Sequence, residues 1–181
     1  TTLFRSIELM KKKYAIYKQM ADDLGVELKI TDPNFIKEPD EPYDSFLENA
    51  KHKALYYVEH TKLPTVCDDS GLCIEALNDF PGVKTKNFLE KCGSLNNAFT
   101  ELEKLLTKHS NRRAYFQTAI CLCLADTKRF IISEARSYGY ITFPARGAQG
   151  FGFDPIFIPE GYTRTLAELG DRKSTRLNSS H

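Results

Sequence analysis

Apolar positions recur at helical spacing in three stretches of the chain and alternate in several others, so the pattern predicts helices and strands in a definite order. Leu9 to Leu24 reads as a helix stopped by Gly25, a residue suited to a left-handed terminator, and Val26 to Ile30 follows as a strand. The polar, proline-containing segment from Thr31 to Asp44 is a loop. After it Ser45 and Glu48 form a capping-box signature, and Phe46, Ala50, Ala54 and Tyr57 carry a helix to about His60. Thr65 to Cys67 and Leu72 to Glu75 read as strand pieces and Phe80-Pro81-Gly82 as a turn. Asn96 to Lys108 is an amphipathic helix with Phe99, Leu102, Leu105 and Leu106 inward. Two long β-rich runs, Ala114 to Leu124 and Arg129 to Thr142, flank Ala125-Asp126-Thr127-Lys128 as a hairpin. The fold class that follows is α/β: a mixed central sheet flanked by helices, with a late hairpin, in a single domain with no internal repeat.

Composition narrows this picture. With 181 residues, 41% of them hydrophobic, the chain can fill one core and is short for two. It contains no apolar run of membrane-spanning length and no basic-then-apolar leader, so a soluble, cytoplasmic protein that contacts no membrane is expected. Cys67, Cys73, Cys92, Cys121 and Cys123 show neither a paired framework nor zinc-ligand spacing, which fits a reducing compartment. Cys121 and Cys123, two apart in an apolar run, share one strand face as small core residues.

The last eleven residues, 171–181, lack any apolar period and resemble a translated sequencing adapter. They are read as a scar and set apart from a domain over 1–170, and the Thr1-Thr2 start is read as trimmed. The formal charge of the whole chain is +1. The tail's three basic residues and one acid carry +2 of it, leaving the rest at −1, and neither value suggests a nucleic-acid-binding surface.

Two constellations carry candidate chemistry. Asp68 and Asp69 end a β-branched approach just before Ser70-Gly71-Leu72, a place read as a strand end with a glycine turn, where a divalent metal is well served by carboxylate oxygens. Side chains alternate along a strand, so one acid faces the site and the other braces the turn or a neighbouring group. The run alone is equally compatible with an Asx-type turn bearing solvated acids. In the second constellation, Gly147, Gly150 and Gly152 let backbone approach a ligand. Phe151 and Phe153, two apart, are expected to present rings on one side, beside Asp154 as an acceptor for a base N–H. Glycine and aromatics near a strand also describe a bulge with core packing. No phosphate-cradling G-x-x-x-x-G-K-[ST] loop is present.

Phe46-Leu47-Glu48-Asn49-Ala50 with Lys53 and Ala54, Leu63-Pro64 leading to Asp68-Asp69-Ser70-Gly71-Leu72, Ala76-Leu77, Pro81-Gly82-Val83, Gly150 to Phe157 and Ala167-Glu168-Leu169 together resemble the inosine triphosphate pyrophosphatase family. The likeness runs in register over most of Ser45 to Leu169. It implies an enzyme that hydrolyses deaminated purine nucleoside triphosphates to the monophosphate and pyrophosphate with Mg2+, as a homodimer. By the same resemblance Asp69 is the general base and a metal ligand, Glu41 is a second metal ligand, and Lys53 and Ser70 meet the substrate phosphates. Phe151 stacks on the base, Asp154 lies at its polar edge, and Gly152 and Phe153 belong to the same base-binding segment. Glu41 in an acidic loop and Lys53 on a helix have a simpler reading as solvated charges, and Glu48 is read only as a cap.

The family's opening [ST]-x-N-x-x-K is matched by Ser6 and Lys11 as phosphate contacts, with Glu8 standing where asparagine belongs, an added anion beside a polyphosphate. The family's closing lysine and Ser-His-Arg signature has no counterpart, since Ser180-His181 lies in the tail set aside. A related pyrophosphatase of pyrimidine or modified nucleotides, and a nucleotide-binding protein without turnover, are the competing readings.

Overall fold

The computed structural model describes residues 36–170, with Ala15, Lys18, Gln19, Asp22, Asp23 and Gly25 before them. Ser6, Glu8, Lys11, the strand expected over 26–30 and the tail 171–181 lie outside the described residues. The chain divides into two units, 1–38 and 39–181. In the first, the described residues from Ala15 to Asp23 are helical. Lys18 pairs with Asp22, and Gln19 Nε2 donates to Asp23 Oδ1 at 2.8 Å. Gly25 has φ +68° and its N–H reaches Asp22 O at 3.1 Å, the left-handed stop that its position predicts.

In the second unit α1 spans Phe46–Thr61. Ser45 caps it in extended conformation and accepts from Glu48 N at 3.5 Å. The reciprocal half of the expected box is replaced by a surface pair, Glu48 to Lys51 at 2.9 Å. The buried face reads Phe46, Asn49, Ala50, Lys53, Ala54, Val58, so two polar residues sit in the stripe and Tyr57 does not.

Strand β1, Thr65–Ile74, runs without interruption through Asp68-Asp69-Ser70-Gly71. That corrects both the glycine turn and the Asx turn, because Asp68, Asp69, Ser70 and Gly71 oppose Ile120, Ala119, Thr118 and Gln117 in an unbroken ladder. Gly71 is there for a tertiary reason. A Cβ on it would overlap the Gly82 carbonyl oxygen and stand 2.8 Å from Thr85 Oγ1 and 2.9 Å from Phe46 Cε1. Gly71→Ala should therefore cost about 3 kcal/mol through overpacking against backbone, read as a lower urea midpoint. A midpoint equal to that of the parent would refute the account.

After a 3-10 turn at Glu75–Leu77 come β2 (Phe80–Pro81), a second turn at Gly82–Lys84 and helix α2 (Thr85–Cys92). The hydrophobic pattern does not announce α2, whose single buried residue is Phe88. Helix α3, Leu95–Leu106, buries Ala98, Phe99, Leu102 and Leu106, while Leu105, expected inward, is exposed. Strands β3 (Arg113–Cys123) and β4 (Phe130–Ile141) form the expected hairpin, and β5 (Phe157–Pro159) adds to β4. A short helix, α4, spans Leu166–Leu169.

The sheet order is β2-β1-β3-β4-β5, and every pairing among the described residues is antiparallel. One face holds Cys73, Tyr115, Ala119, Cys121 and Cys123 under Phe46, Ala50, Ala54 and Val58 of α1. The other holds Leu72, Ile74, Ala114 and Ile141 against Phe88, Phe99, Leu102 and Leu106 of α2 and α3, joined by Phe153, Ile156 and Phe157. Each fully buried large side chain contributes roughly 1.5–3 kcal/mol to this helix, sheet, helix sandwich. The α/β class, the flanking helices and the hairpin thus follow the sequence pattern. No helix among the described residues is long and apolar enough to cross a membrane. Cys121 and Cys123 are buried core residues and all five thiols are unpaired.

Candidate active site

Strand alternation turns Asp69 toward α1 and Asp68 toward the opposite face. On α1, Asn49 and Lys53 are four residues apart and so lie one above the other over the same strand. The three side chains are nearly closed off from solvent, with Asn49 at 1%, Asp69 at 7% and Lys53 at 9% exposure. Lys53 Nζ stands 3.2 Å from Asp69 Oδ1 and 2.6 Å from Glu41 Oε1, so one ammonium bridges two carboxylates from a strand and a loop.

The loop is held by the helix it precedes. Asn49 Oδ1 accepts from Tyr43 N at 3.0 Å, and its Nδ2 donates to Tyr43 O at 3.1 Å and to Asp69 Oδ2 at 3.2 Å. A single buried amide thereby ties the Glu41 loop to the carboxylate of β1. In the sequence Asn49 stands inside a motif with no task of its own. The available signal was a poor helix former inside an apolar stripe, a position that burial makes costly unless every polar atom is satisfied.

Burial pushes the Asp69 carboxyl above its ordinary range; Lys53 pulls it down, Glu41 pushes it further up, and the sum stays raised. For Lys53, burial alone would lower the ammonium, but Asp69 and Glu41 outweigh it and hold the group above its usual value. The pair is therefore a firmly charged lysine beside a carboxylate with more than usual appetite for a proton, which is what a base near neutral pH needs. Next to it burial drives the Cys67 thiol up to about 12, so Cys67 is no nucleophile.

Glu41 and Asp69 are two hard oxygen donors converging on one point of positive charge. Among the described residues no group of three or more histidine, cysteine, aspartate or glutamate side chains could hold a metal ion, so any ion here would take the rest of its shell from water or ligand oxygens.

The other expected site residues are not gathered at this point. Ser70 Oγ donates to Asp68 Oδ2 at 2.9 Å, on the face away from Lys53, because residues two apart on a strand share a side. The segment from Gly150 to Asp154 is a tight turn entering a 3-10 helix, Asp154–Ile156, so the two-residue alternation expected for it does not apply. Phe153 is 3% exposed and packs against Phe99, ring centroids 6.2 Å apart, as a core residue, whereas Phe151 is 49% exposed. The expectation of two rings on one side is thus corrected to one presented ring. Gly152, at φ +57°, makes the reversal between them. Asp154 Oδ2 accepts from Phe151 N at 2.8 Å, an acceptor used within its own loop. Ser6 and Lys11 lie outside the described residues.

Comparison with known proteins adds a consistent set of likenesses. The model of the Ham1 family matches residues 10–181. The dITP/XTP pyrophosphatase of Paracidovorax citrulli is 39% identical over 162 residues, 87% of this chain and 81% of its own length. That of Aquifex aeolicus is 35% identical over 175 residues, 92% of this chain and 85% of its own. Among solved structures, a HAM1 protein from Coxiella burnetii superposes with a TM-score of 0.82 at 31% identity, covering 92% of this chain and 86% of that one. A nucleoside-triphosphatase / dITP/XTP pyrophosphatase from Mycobacterium abscessus superposes with a TM-score of 0.77 at 32% identity, covering 92% and 88%.

Proposed function

Because this chain belongs to the Ham1 family, we propose that it hydrolyses non-standard purine nucleoside triphosphates, those of inosine, deoxyinosine and xanthosine, to the monophosphate and pyrophosphate. It is a hydrolase acting on nucleoside triphosphates, as the pyrophosphatases it resembles are named. The observation that carries the proposal is the Glu41, Lys53 and Asp69 centre, in which Lys53 and Asp69 are buried, steadied by Asn49.

In this reading Asp69 takes the proton of a water that adds to the phosphorus nearest the sugar, and the bond from that phosphorus to the bridging oxygen breaks, releasing pyrophosphate. Its raised proton affinity supports the role. Lys53 directs two of its three N–H bonds at Glu41 and Asp69, and the third is assigned to a phosphate oxygen of the substrate. Glu41 and Asp69 suit Mg2+, which asks for one or two carboxylates and completes its shell with water and phosphate oxygens. When bound there it supplies positive charge against the polyphosphate. Ser6 and Lys11 are proposed as further phosphate contacts.

The Phe151 ring offers a stacking surface worth roughly 1–3 kcal/mol per base. Asp154, bonded to Phe151 N, is assigned the shaping of that loop beside the polar edge of the base. A cytoplasmic homodimer completes the proposal. Five unpaired thiols support a reducing compartment, with Cys73 and Cys121 pushed up to about 11 by burial.

Pyrophosphate release from the triphosphates of inosine, deoxyinosine, xanthosine, adenosine, guanosine and cytidine with Mg2+ is the test. A site that reads a six-keto group should favour the first three over adenosine and cytidine triphosphates by about a hundred-fold or more in kcat/KM, while guanosine triphosphate, which shares that group, is separated only at its two-amino group. Equal turnover of cytidine triphosphate would refute the purine assignment. Binding of inosine triphosphate without release would favour a protein impaired by Glu8.

A further inference from the structure

Ala167-Glu168-Leu169 has so far been given no task, although it belongs to the set of motifs that carries the family resemblance. In the structure these residues form most of α4, four residues long, too short to persist on its own helical propensity. What stabilises it is a complete capping box. Glu168 Oε2 accepts from Thr165 N at 2.7 Å, and Glu168 N donates to Thr165 Oγ1 at 3.2 Å. Thr165 is fully buried, and its hydroxyl also donates to the carbonyl oxygen of Arg146 at 2.8 Å, so both its donor and its acceptor capacity are in use.

Arg146 opens the glycine-rich loop that carries Phe151. Its backbone N–H donates to Pro155 O at 2.8 Å, closing the base of the loop, and its Nε is buried without a hydrogen-bond partner, 3.7 Å from Glu168 Oε2. Further along, Gln149 N reaches Ala167 O at 3.3 Å. Gly147, at φ +85°, lies so close to the Ala167 and Glu168 backbone that a Cβ would overlap it. Backbone, hydroxyl and ion pair thus join the same two pieces of chain.

We infer that Thr165 and Glu168 are positioning residues for base binding: through Arg146 and the 147–149 backbone they clasp the loop that presents Phe151. The inference rests on the reading of Phe151 as the stacking surface. The ionised form of Glu168 is the one the clasp requires, and the Thr165 backbone N–H holds its carboxyl below the usual range. Neither residue need touch the nucleotide. Their effect reaches it through the place and mobility of one exposed ring.

The chain contains no tryptophan, so Phe151→Trp installs a single fluorescent reporter on the loop. In that background Thr165→Val should raise the acrylamide quenching constant about two-fold, since it removes a cap and leaves the Arg146 carbonyl without its donor, and Thr165→Ser should restore the parent value. In the chain bearing Phe151, Thr165→Val should raise the KM for inosine triphosphate about five-fold with kcat within about two-fold, the split expected when uniform substrate binding is weakened. Glu168→Gln, which keeps the acceptor but drops the charge facing Arg146, should shift both readouts in the same direction by less, and decides the matter if Thr165→Val does not fold. Unchanged quenching in a folded variant overturns the clasp. Absent turnover of inosine triphosphate by the unmodified chain overturns the function while leaving the quenching result to stand for the clasp alone.

Discussion

Asp69→Asn should lower the kcat for pyrophosphate release from inosine triphosphate by about a thousand-fold, the middle of the range for loss of a positioned proton acceptor. Asparagine keeps the volume but only one acceptor oxygen, so one of the two donors, Lys53 or Asn49, loses its partner at this position, while Lys53 keeps Glu41, Asn49 keeps Tyr43 and the ladder with β3 is untouched. Activity within ten-fold of the parent would end the assignment of Asp69 as base. The same substitution carries a stability signature whose sign can be worked out. The folded carboxyl binds its proton more tightly than the unfolded one, chiefly because it is buried. The stabilisation that protonation confers is therefore fully present below the ordinary aspartate range and is lost as pH rises through the higher folded value. In metal-free buffer the parent should lose this contribution as pH rises from the ordinary aspartate range through the interval above it, and Asp69→Asn should not. Urea midpoints across that interval measure it, and a parent that gained stability relative to the variant would show the opposite sign.

Lys53→Met is the second large effect. Two carboxylates now share one ammonium, at 2.6 and 3.2 Å, with side-chain exposures that leave little room for water to take over. Removing the ammonium while keeping the bulk leaves buried negative charge uncompensated, which costs about 3–5 kcal/mol in such settings. For a chain of this length that corresponds to a drop of about 10 °C in Tm. Mg2+ should return part of the loss, because an ion that binds only the folded state stabilises it by mass action, about 2.7 kcal/mol at a hundred times its dissociation constant. Calorimetry of the variant with EDTA and with added Mg2+ makes the comparison. A Tm near that of the parent in EDTA, with no response to the ion, would mean that Glu41 and Asp69 do not form a charge-coupled pair.

Much of the frame was legible because it is written in local periodicity. The β3 and β4 runs are rich in β-forming residues and flank a four-residue turn, and α1 announces its start at Ser45 and its stripe through Phe46, Ala50 and Ala54. Glu41, Lys53 and Asp69 were named from motif register alone, and what no local pattern could supply was their convergence, which depends on α1 crossing β1 at one height. The errors share a cause. Gly71 resembles a turn residue, yet it is glycine because another backbone passes through the space its side chain would fill. Phe153 resembles half of an aromatic platform, yet a reversal at Gly152 sends it into the core beside Phe99. Leu105 fits the helical stripe of α3 but faces solvent, since a wide apolar arc exceeds what the core can cover. Helix α2 offers one buried residue and hence no period to detect.

The carboxylate of β1 is carried by a strand bonded along its whole length to β3, whereas Glu41 sits on a connecting segment held by side-chain contacts, from Asn49 and His52 to Tyr43 and from Lys84 to Asp44. The two acids are thus unequal jaws of one grip, one set on a strand and the other on a loop. In the proposed reaction the loop jaw is the one free of the sheet's hydrogen-bond ladder, so adjustment to an ion or a phosphate chain falls to Glu41 and the geometry at Asp69 is spared.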